Sequence, residues 1–157
     1  LTELPKSTEE TAFHQVKTTP IDAAALNEEI EKVKKLDIDF HNCFNRQQQL
    51  EAIPYYAPDA TLMTISKNPI RGPEAIEAHI IEGSKGMQHI SNNQQIIHAE
   101  GNDQMVIIVN QFGWVFKVLQ TGETVSIPGK GIHIWQKQPA GEWKILLDIH
   151  NTNVPLN

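Results

Sequence analysis

Hydrophobic side chains first become periodic after residue 20, where they recur at steps of three and four positions over about six helical turns. The residues of this stripe are Ala25, Leu26, Ile30, Val33, Leu36, Phe40 and Phe44. The spacing predicts a long amphipathic helix, and Asp22 is placed to cap its N-terminus. A second, short helix is predicted at 50–56 and is closed by Pro58. A third begins at Pro73 and ends at the glycines 83 and 86.

Alternation of apolar and polar residues predicts the strands. A short strand is expected at 60–66, and Asn68-Pro69 and Gly72-Pro73 flank a brief extended piece. Four long strands follow at 88–99, 103–119, 124–138 and 142–151, with turn residues between them. Consecutive antiparallel hairpins are therefore predicted. Glycines at 113, 129 and 131 indicate bends in the sheet. Three helices and a meander of long, bent strands predict an α+β fold.

Composition narrows the class of protein. A length of 157 residues suits a single domain. Leu1–Pro20 is polar and aperiodic, so we expect an arm at 1–20 and one domain at 21–157.

The single cysteine, Cys43, excludes an intramolecular disulfide. A net charge of −6 argues against nucleic acid, and no apolar run approaches the ~20 residues that span a bilayer. We expect a soluble protein, cytoplasmic or exported, since the chain starts at Leu1 rather than Met.

Five short segments then occur in a characteristic order. They are Tyr55–Thr61 (YYAPDAT), Arg71–Ile76 (RGPEAI), Gly129–Trp135 (GKGIHIW), Gly141–Ile145 (GEWKI) and Asp148–Asn151 (DIHN). Their order and spacing resemble the SnoaL-like branch of the nuclear transport factor 2-like superfamily. The resemblance implies a cystatin-like cone: three N-terminal helices packed on a strongly curved, mixed, mostly antiparallel sheet. It also implies a hydrophobic conical pocket and a homodimer formed through the outer face of the sheet.

The superfamily includes ketosteroid isomerase, which works with a carboxylate base and an oxyanion hole of one tyrosine and one protonated aspartate. A gap-free alignment puts Phe40 at the tyrosine, Thr64 at the base and Gly131 at the protonated aspartate. Phe40 and Gly131 offer no side-chain hydrogen bond, and Thr64 does not ionise near neutral pH. Isomerisation by that mechanism is therefore not expected.

The same alignment assigns residues to the pocket. Those expected to bind a ligand are Phe40, Tyr56, Leu62, Trp114, His133 and Trp135, and those expected to be catalytic are Thr64, His79, Asp148 and His150. Asp148 and His150 are two positions apart on one strand face, ~7 Å between Cα atoms, so a favourable side-chain lean would let them hydrogen-bond. A histidine oriented by a carboxylate is what a general base requires. The alternative is that Asp148 anchors the sheet through backbone groups or Arg71.

Alternation along the last strand places Trp143, Ile145 and Leu147 on the opposite face from Asp148. No metal and no cofactor is expected, because His79, His133 and His150 come from three separate elements. His89 and His98 are expected at a solvent edge or with satisfied hydrogen bonds. We assign no role to His14 and His41.

Two functions remain open. The first is a small-molecule enzyme of the lyase, isomerase or cyclase type, acting by general acid/base chemistry on an apolar or polycyclic substrate. His150 would be the base, Asp148 would orient it, and His79 or Thr64 would polarise a carbonyl. The alternative is a non-catalytic module that binds a hydrophobic ligand or only dimerises. A pocket of about 300 to 1,000 Å³ with a few convergent polar groups would favour a substrate site.

Overall fold

The computed structural model describes residues 22–46 and 48–153, and the predicted arm at 1–20 lies outside them. The helices are α1 (Ala23–Asn45), a 3₁₀ helix (Gln49–Tyr55) and α2 (Pro73–Gly83). The strands are β1 (Tyr56–Met63), β2 (Ile70–Arg71), β3 (Met87–Gly101), β4 (Met105–Val118), β5 (Thr124–Lys137) and β6 (Trp143–Thr152). Within the described residues, no helix has the length and apolar character needed to cross a bilayer.

All six strands form one sheet, in the order β2-β1-β6-β5-β4-β3. Neighbouring strands are antiparallel except β1 and β6, which are parallel. The predicted α+β class and the mixed, mostly antiparallel sheet are thus confirmed. The four long strands lie within two residues of their predicted ends, because alternation and turn residues mark such hairpins clearly.

Helix α1 begins as predicted, since the Asp22 carboxylate accepts a hydrogen bond of 3.1 Å from the backbone N–H of Ala24. Its inner face buries Val33, Phe40 and Cys43 against the sheet. Two polar residues, Asp37 and His41, are buried on that same face. Four positions separate them, so they lie one above the other. The buried face of α1 is therefore apolar at its ends and includes polar side chains in the middle.

The second predicted helix differs from the structure. It is a 3₁₀ helix that contains Pro54, and the chain enters β1 at Tyr56, before Pro58 rather than after it. Pro58 is exposed and lies where the register between β1 and β6 is irregular, between Tyr56 and Thr61. Proline is tolerated at such a position because its missing N–H removes no regular ladder hydrogen bond.

The pairing of β5 with β6 contains a shift of register. Trp135 pairs with Ile145 while Ile134 pairs with Leu147, so one residue of β6 is left over. The extra residue breaks the alternation of faces along β6. Ile145 and Trp143 are consequently buried in the core, and their predicted position on the outer face is wrong.

Two glycines of β5 allow other groups to approach closely. A Cβ atom on Gly129 would lie 2.2 Å from the Phe112 ring, and one on Gly131 would lie 2.9 Å from the carbonyl oxygen of Ile149. Neither position has room for a side chain. The glycines therefore let Phe112 of β4 lie across β5 and leave the space beside Gly131 to the side chain of Asn110, whose Oδ1 is 3.2 Å from the same hypothetical Cβ.

Candidate functional site

A cavity of about 230 Å³ lies between α1, α2 and the inner face of the sheet. It is smaller than the expected lower limit of about 300 Å³. Nine of the ten predicted site residues line it, namely Phe40, Tyr56, Leu62, Thr64, His79, Trp114, His133, Asp148 and His150. Sequence reasoning therefore located the cavity, although the roles of these residues stay predictions.

Trp135 is the exception, since it lies outside the cavity wall. Its side chain is fully buried, and its indole N–H donates a 2.9 Å hydrogen bond to Oδ1 of Asp37. The ring also meets Tyr55 edge-on, with 6.2 Å between centroids. Trp135 lies on the same strand face as His133 but packs in the core beneath α1, so its predicted contact with a ligand stays a prediction that the cavity lining does not support.

Asp37 is the centre of a charged network that reaches from α1 to the sheet. Its fully buried carboxylate accepts hydrogen bonds from Nδ1 of His133 and Nε2 of Gln94, both at 2.5 Å, in addition to the Trp135 indole. The other ring nitrogen of His133, Nε2, lies 3.5 Å from Oδ1 of Asp148. His133 is therefore held between two buried carboxylates.

Asp148 of β6 connects this network to His150. The Tyr56 hydroxyl donates a 2.7 Å hydrogen bond to its Oδ2, and Nδ1 of His150 lies 3.2 Å from its Oδ1. The lean that the sequence required for this contact is thus present. Arg71, the alternative partner, is directed at the Thr61 hydroxyl instead, at 3.4 Å. Asp148 is consequently surrounded by side-chain donors and ties three elements together.

The protonation states in this network follow from its geometry. Burial alone would lower the pKa of His133, but the adjacent carboxylates of Asp37 and Asp148 outweigh it and raise the pKa to about 10. Burial likewise opposes ionisation of the two carboxyls, yet the His133 charge and its hydrogen bonds hold both of their pKa values below the usual range. At neutral pH the network is an imidazolium between two carboxylates, and His133 has no free nitrogen with which to act as a base.

His150 sits where the network meets the cavity. Its side chain is 18% exposed, and its ring contacts Trp114 edge-on at 5.2 Å. Because Asp148 accepts from Nδ1, the other ring nitrogen, Nε2, is available to a ligand. His79 lines the same cavity from α2, and burial together with the nearby His150 lowers its pKa, so it is neutral near pH 7.

Sequence reasoning missed four buried polar residues of the cavity wall: His41, His89, Asn92 and Asn110. His41 lies on the inner face of α1, with its Nδ1 2.8 Å from the amide nitrogen of Asn92 and its ring stacked on His133 at 5.3 Å. Burial and the charge of His133 lower the pKa of His41 to about 3. His89 is buried rather than at a solvent edge, whereas His98 is exposed beside Glu100, as predicted.

The signal for His41 was its helical spacing from Asp37 and its position directly after Phe40 on the buried face. For Asn110 the signal was alternation along β4, since it lies between Ile108 and Phe112 on the inner face. Neither residue was predicted in the cavity wall, because the periodicity of apolar residues alone defined the predicted core. A polar residue at a position where the periodicity predicts burial is a stronger indication of function than another apolar residue there.

Among the described residues, Asp37, His41 and His133 are the group whose ligand atoms could meet at a metal, all within 4.8 Å of one another. Both nitrogens of His133 already face carboxylates, and its raised pKa means that a metal would compete with a tightly held proton. The rings of His41 and His133 are stacked, with 22° between their planes, instead of converging on one point. The trio fits an ionic hydrogen-bond network better than a metal site.

The sequence matches no protein-family model and no curated protein. Solved structures share the fold. A ketosteroid isomerase-like protein from Erwinia carotovora atroseptica has a TM-score of 0.75 at 15% identity, over 82% of this chain and 99% of its own. A type 2 hexachlorocyclohexane dehydrochlorinase has a TM-score of 0.71 at 14% identity, over 83% and 90%. A protein of the NTF2-like family from Streptomyces avermitilis has a TM-score of 0.67 at 10% identity, over 82% and 99%.

These likenesses cover most of this chain and nearly all of the other chains, so they concern the whole domain rather than one motif. The chain has the nuclear transport factor 2-like fold, which confirms, at the level of the fold, the resemblance carried by the five segments. At such low identity, function must be argued from the site itself.

Proposed function

We propose that this protein is an enzyme that moves protons on a small molecule held in the cavity, in a reaction of the lyase, isomerase or cyclase type. The observation that carries the proposal is the contact of 3.2 Å between Nδ1 of His150 and the buried carboxylate of Asp148, at the cavity wall. The pair supplies both parts of a general base: a ring nitrogen that faces a substrate and a group that orients the ring.

In the proposed step, Nε2 of His150 takes a proton from a carbon or oxygen of the substrate and later returns it. Asp148 accepts the N–H on the other side of the ring, which fixes the tautomer and stabilises the imidazolium as it forms. Tyr56 and His133 keep Asp148 ionised and in place. Asp148 is therefore a positioning residue, and His150 is the catalytic one.

Further cavity residues complete the proposal. His79 and Thr64 line the cavity and are suited to polarise a carbonyl oxygen or to accept the departing proton. Phe112 and Trp114 stack with 4.3 Å between ring centroids and present a flat apolar surface beside His150. This surface suits an unsaturated or cyclic substrate, and the cavity of about 230 Å³ favours a small one over a large polycyclic molecule.

The structural neighbours support the reaction class without identifying the reaction. Two of them are named an isomerase-like protein and a dehydrochlorinase. Isomerisation and elimination both begin with removal of a proton, which is the step that the His150 and Asp148 pair could perform.

The test is hydrogen–deuterium exchange on a substrate carbon, because this measurement does not require that the natural substrate be known. A panel of small cyclic ketones is incubated with the protein in deuterated water, and exchange at the α-carbon is followed by NMR. We expect His150→Gln to reduce the enzyme-catalysed rate by roughly 10² to 10⁴, the usual contribution of a general base. The matched control is His98→Gln, which removes an exposed imidazole next to Glu100 and should leave the rate unchanged.

An unchanged rate in His150→Gln would show that this histidine is not the base. Binding of panel compounds by the wild-type protein without any accelerated exchange would favour the alternative, a non-catalytic module that holds its ligand in the same cavity.

We also propose that the outer face of the sheet joins two copies of the chain. Apolar residues occupy adjacent register positions on that face: Met63 of β1, Leu147 and Ile149 of β6, Ile132 and Ile134 of β5, and Ile107 and Val109 of β4. Ile132 is 37% exposed at the centre of this group. Contiguous exposed apolar surface of this kind is typical of an interface.

Sedimentation velocity tests the dimer. We expect wild-type protein to sediment as a dimer and Ile132→Glu as a monomer, because the substitution buries a charge in the interface. Ile81→Glu changes an equally apolar and exposed side chain on α2 and should stay dimeric. A monomeric wild-type protein at high concentration would overturn the proposal.

A further inference from the structure

Buried polar atoms without a hydrogen-bond partner in the protein are concentrated in one place. Among the described residues they belong to four side chains, His41, His89, Asn92 and Asn110, and all four line the same cavity. A buried donor or acceptor without a partner is costly, and proteins rarely keep one without a reason. Several on one wall indicate that a ligand supplies the missing partners.

Asn110 gives the clearest case. It is 1% exposed, and neither its amide oxygen nor its amide nitrogen has a partner among the described residues. The residue opposite it on β5 is Gly131, where a side chain would collide with the Ile149 carbonyl oxygen at 2.9 Å. The neighbouring strand therefore cannot satisfy the amide. Asn110 keeps one donor and one acceptor for the cavity.

His41 adds a second donor. The amide nitrogen of Asn92 donates to Nδ1 of His41, and with the amide in this orientation the proton of the neutral ring is on Nε2. That Nε2 is buried, and in the part of the chain that the structure describes neither it nor the amide oxygen of Asn92 has a partner. Because the charge of neighbouring His133 and burial keep His41 neutral, this N–H is a hydrogen-bond donor without being a cation.

Charge defines what such a wall can accept. Within residues 22–46 and 48–153, no lysine or arginine lines the cavity, whereas Asp148 does, and Asp37 lies just behind it. In the same part of the chain, His133 is the one cation paired with these two buried carboxylates. A carboxylate or phosphate of a ligand would add negative charge to a site that already has an excess of it, and it would find no counter-ion.

We propose that His41, Asn92 and Asn110 form a neutral hydrogen-bonding wall that binds an uncharged, planar substrate group offering both a donor and an acceptor, such as a primary carboxamide or a lactam. The ring that carries this group packs against Phe112 and Trp114. This inference rests on the proposed function in one respect, namely that the bound molecule is the substrate on which His150 acts. Binding of such a group to the wall does not depend on catalysis by His150.

The test combines stability with binding. Asn110→Leu replaces an unsatisfied amide by an apolar group of similar size, so it should raise the melting temperature of the free protein by roughly 2 to 6 °C. The control is Gln111→Leu, the next residue of β4, whose exposed amide bonds to Gln95. This control should leave the melting temperature nearly unchanged. A gain in stability that accompanies a loss of binding is the signature of a group kept for a ligand.

Binding is measured by ligand-detected NMR with three probes that share a phenyl ring: benzamide, benzoate of the same size, and the smaller, apolar toluene. We expect benzamide to bind at least about tenfold more tightly than benzoate, and Asn110→Leu to lose about tenfold in affinity for benzamide but little for toluene. Should Asn110→Leu not fold, Asn92→Leu replaces it in the binding measurement alone, because the Asn92 amide also bonds to His41, and the exposed Asn93→Leu is its control.

Two results would overturn the proposal. One is a lower melting temperature in Asn110→Leu than in Gln111→Leu, which would make the amide a structural group. The other is equal affinity for benzoate and benzamide. Failure here leaves the proton-exchange test of His150→Gln untouched, and failure of that test leaves benzamide binding intact, so the two outcomes are distinguishable.

Discussion

The two halves of the cavity wall are equally buried and chemically opposite. On one side, His133 and Asp148 carry full charges, as does Asp37 directly behind them, and each of the three is held by partners on other elements. On the other side, His41, Asn92 and Asn110 are neutral, and each keeps at least one polar atom without a partner among the described residues. Burial alone therefore does not reveal what a polar residue does. The satisfied half connects elements of the fold, whereas the unsatisfied half has the free polar atoms on which our proposal of a ligand rests.

His150 lies at the border between these halves. Its Nδ1 is attached to the charged side through Asp148, and its ring contacts Trp114 in the cavity. A residue in this position takes a fixed orientation from the network while its second nitrogen stays free of that contact. The division of the wall thus explains why His133 is held on both sides, whereas His150 has the free nitrogen that the proposed function requires.

The largest effect is expected when the charged half is broken. Asp37→Asn keeps the shape of the side chain but removes the charge that faces His133, leaving a buried imidazolium with one carboxylate instead of two. Removing one partner of a buried ion pair typically costs about 3 to 5 kcal/mol in the free energy of unfolding. Urea denaturation of the wild-type and variant proteins measures this loss.

Asp39→Asn is the matched control, because Asp39 lies on the same helix and is exposed. A surface change of this kind is expected to stay within about 0.5 kcal/mol. If the two variants were equally stable, the charged half would not hold the fold together and its contrast with the neutral half would fail.

The fold was predictable because its signals are local and repeated. Alternation over ten or more residues placed β3 to β6, and helical spacing from Ala25 to Phe44 placed α1. Errors arose where one residue interrupts a period. The extra residue in β6 turned Ile145 to the core, and the irregular register of β1 allowed Pro58 to sit inside a strand. A single sequence does not show where a strand will bulge.

The site was only half predictable, for a related physical reason. His150 and Asp148 followed from a resemblance and a period of two, which bring residues of one strand together. The Asp37 and His133 contact joins residues 96 positions apart in sequence, on α1 and β5. Such a pairing depends on how the helix packs on the sheet. The neutral wall could not be predicted from the sequence for a further reason. Whether the Asn110 amide finds a hydrogen-bond partner depends on its neighbours on β5.

A smaller effect, from pH, sharpens the same comparison. The pKa of His133 is about 10 in the folded protein, against about 6.5 in an unfolded chain. Between these values the native state holds a proton that the unfolded state has lost. The stability from this group is therefore complete below pH 6.5 and disappears as pH rises through 10. With about 1.4 kcal/mol per pH unit, the free energy of unfolding should fall by about 2 kcal/mol between pH 7 and 8.5.

The variants turn this slope into a test of its origin. In Asp37→Asn, one of the two carboxylates that hold the His133 proton is neutral, so the pKa of His133 falls and the alkaline loss becomes shallower. Asp39→Asn leaves both carboxylates in place and should keep the wild-type slope. All three proteins share Cys43, so ionisation of its thiol cancels in the comparison. The slope is obtained from urea denaturation at several pH values. If all three proteins showed the same slope, the pH dependence would arise outside the charged half. The neutral half would not explain it either, because its one ionisable side chain, His41, has a pKa of about 3 and does not titrate in this range.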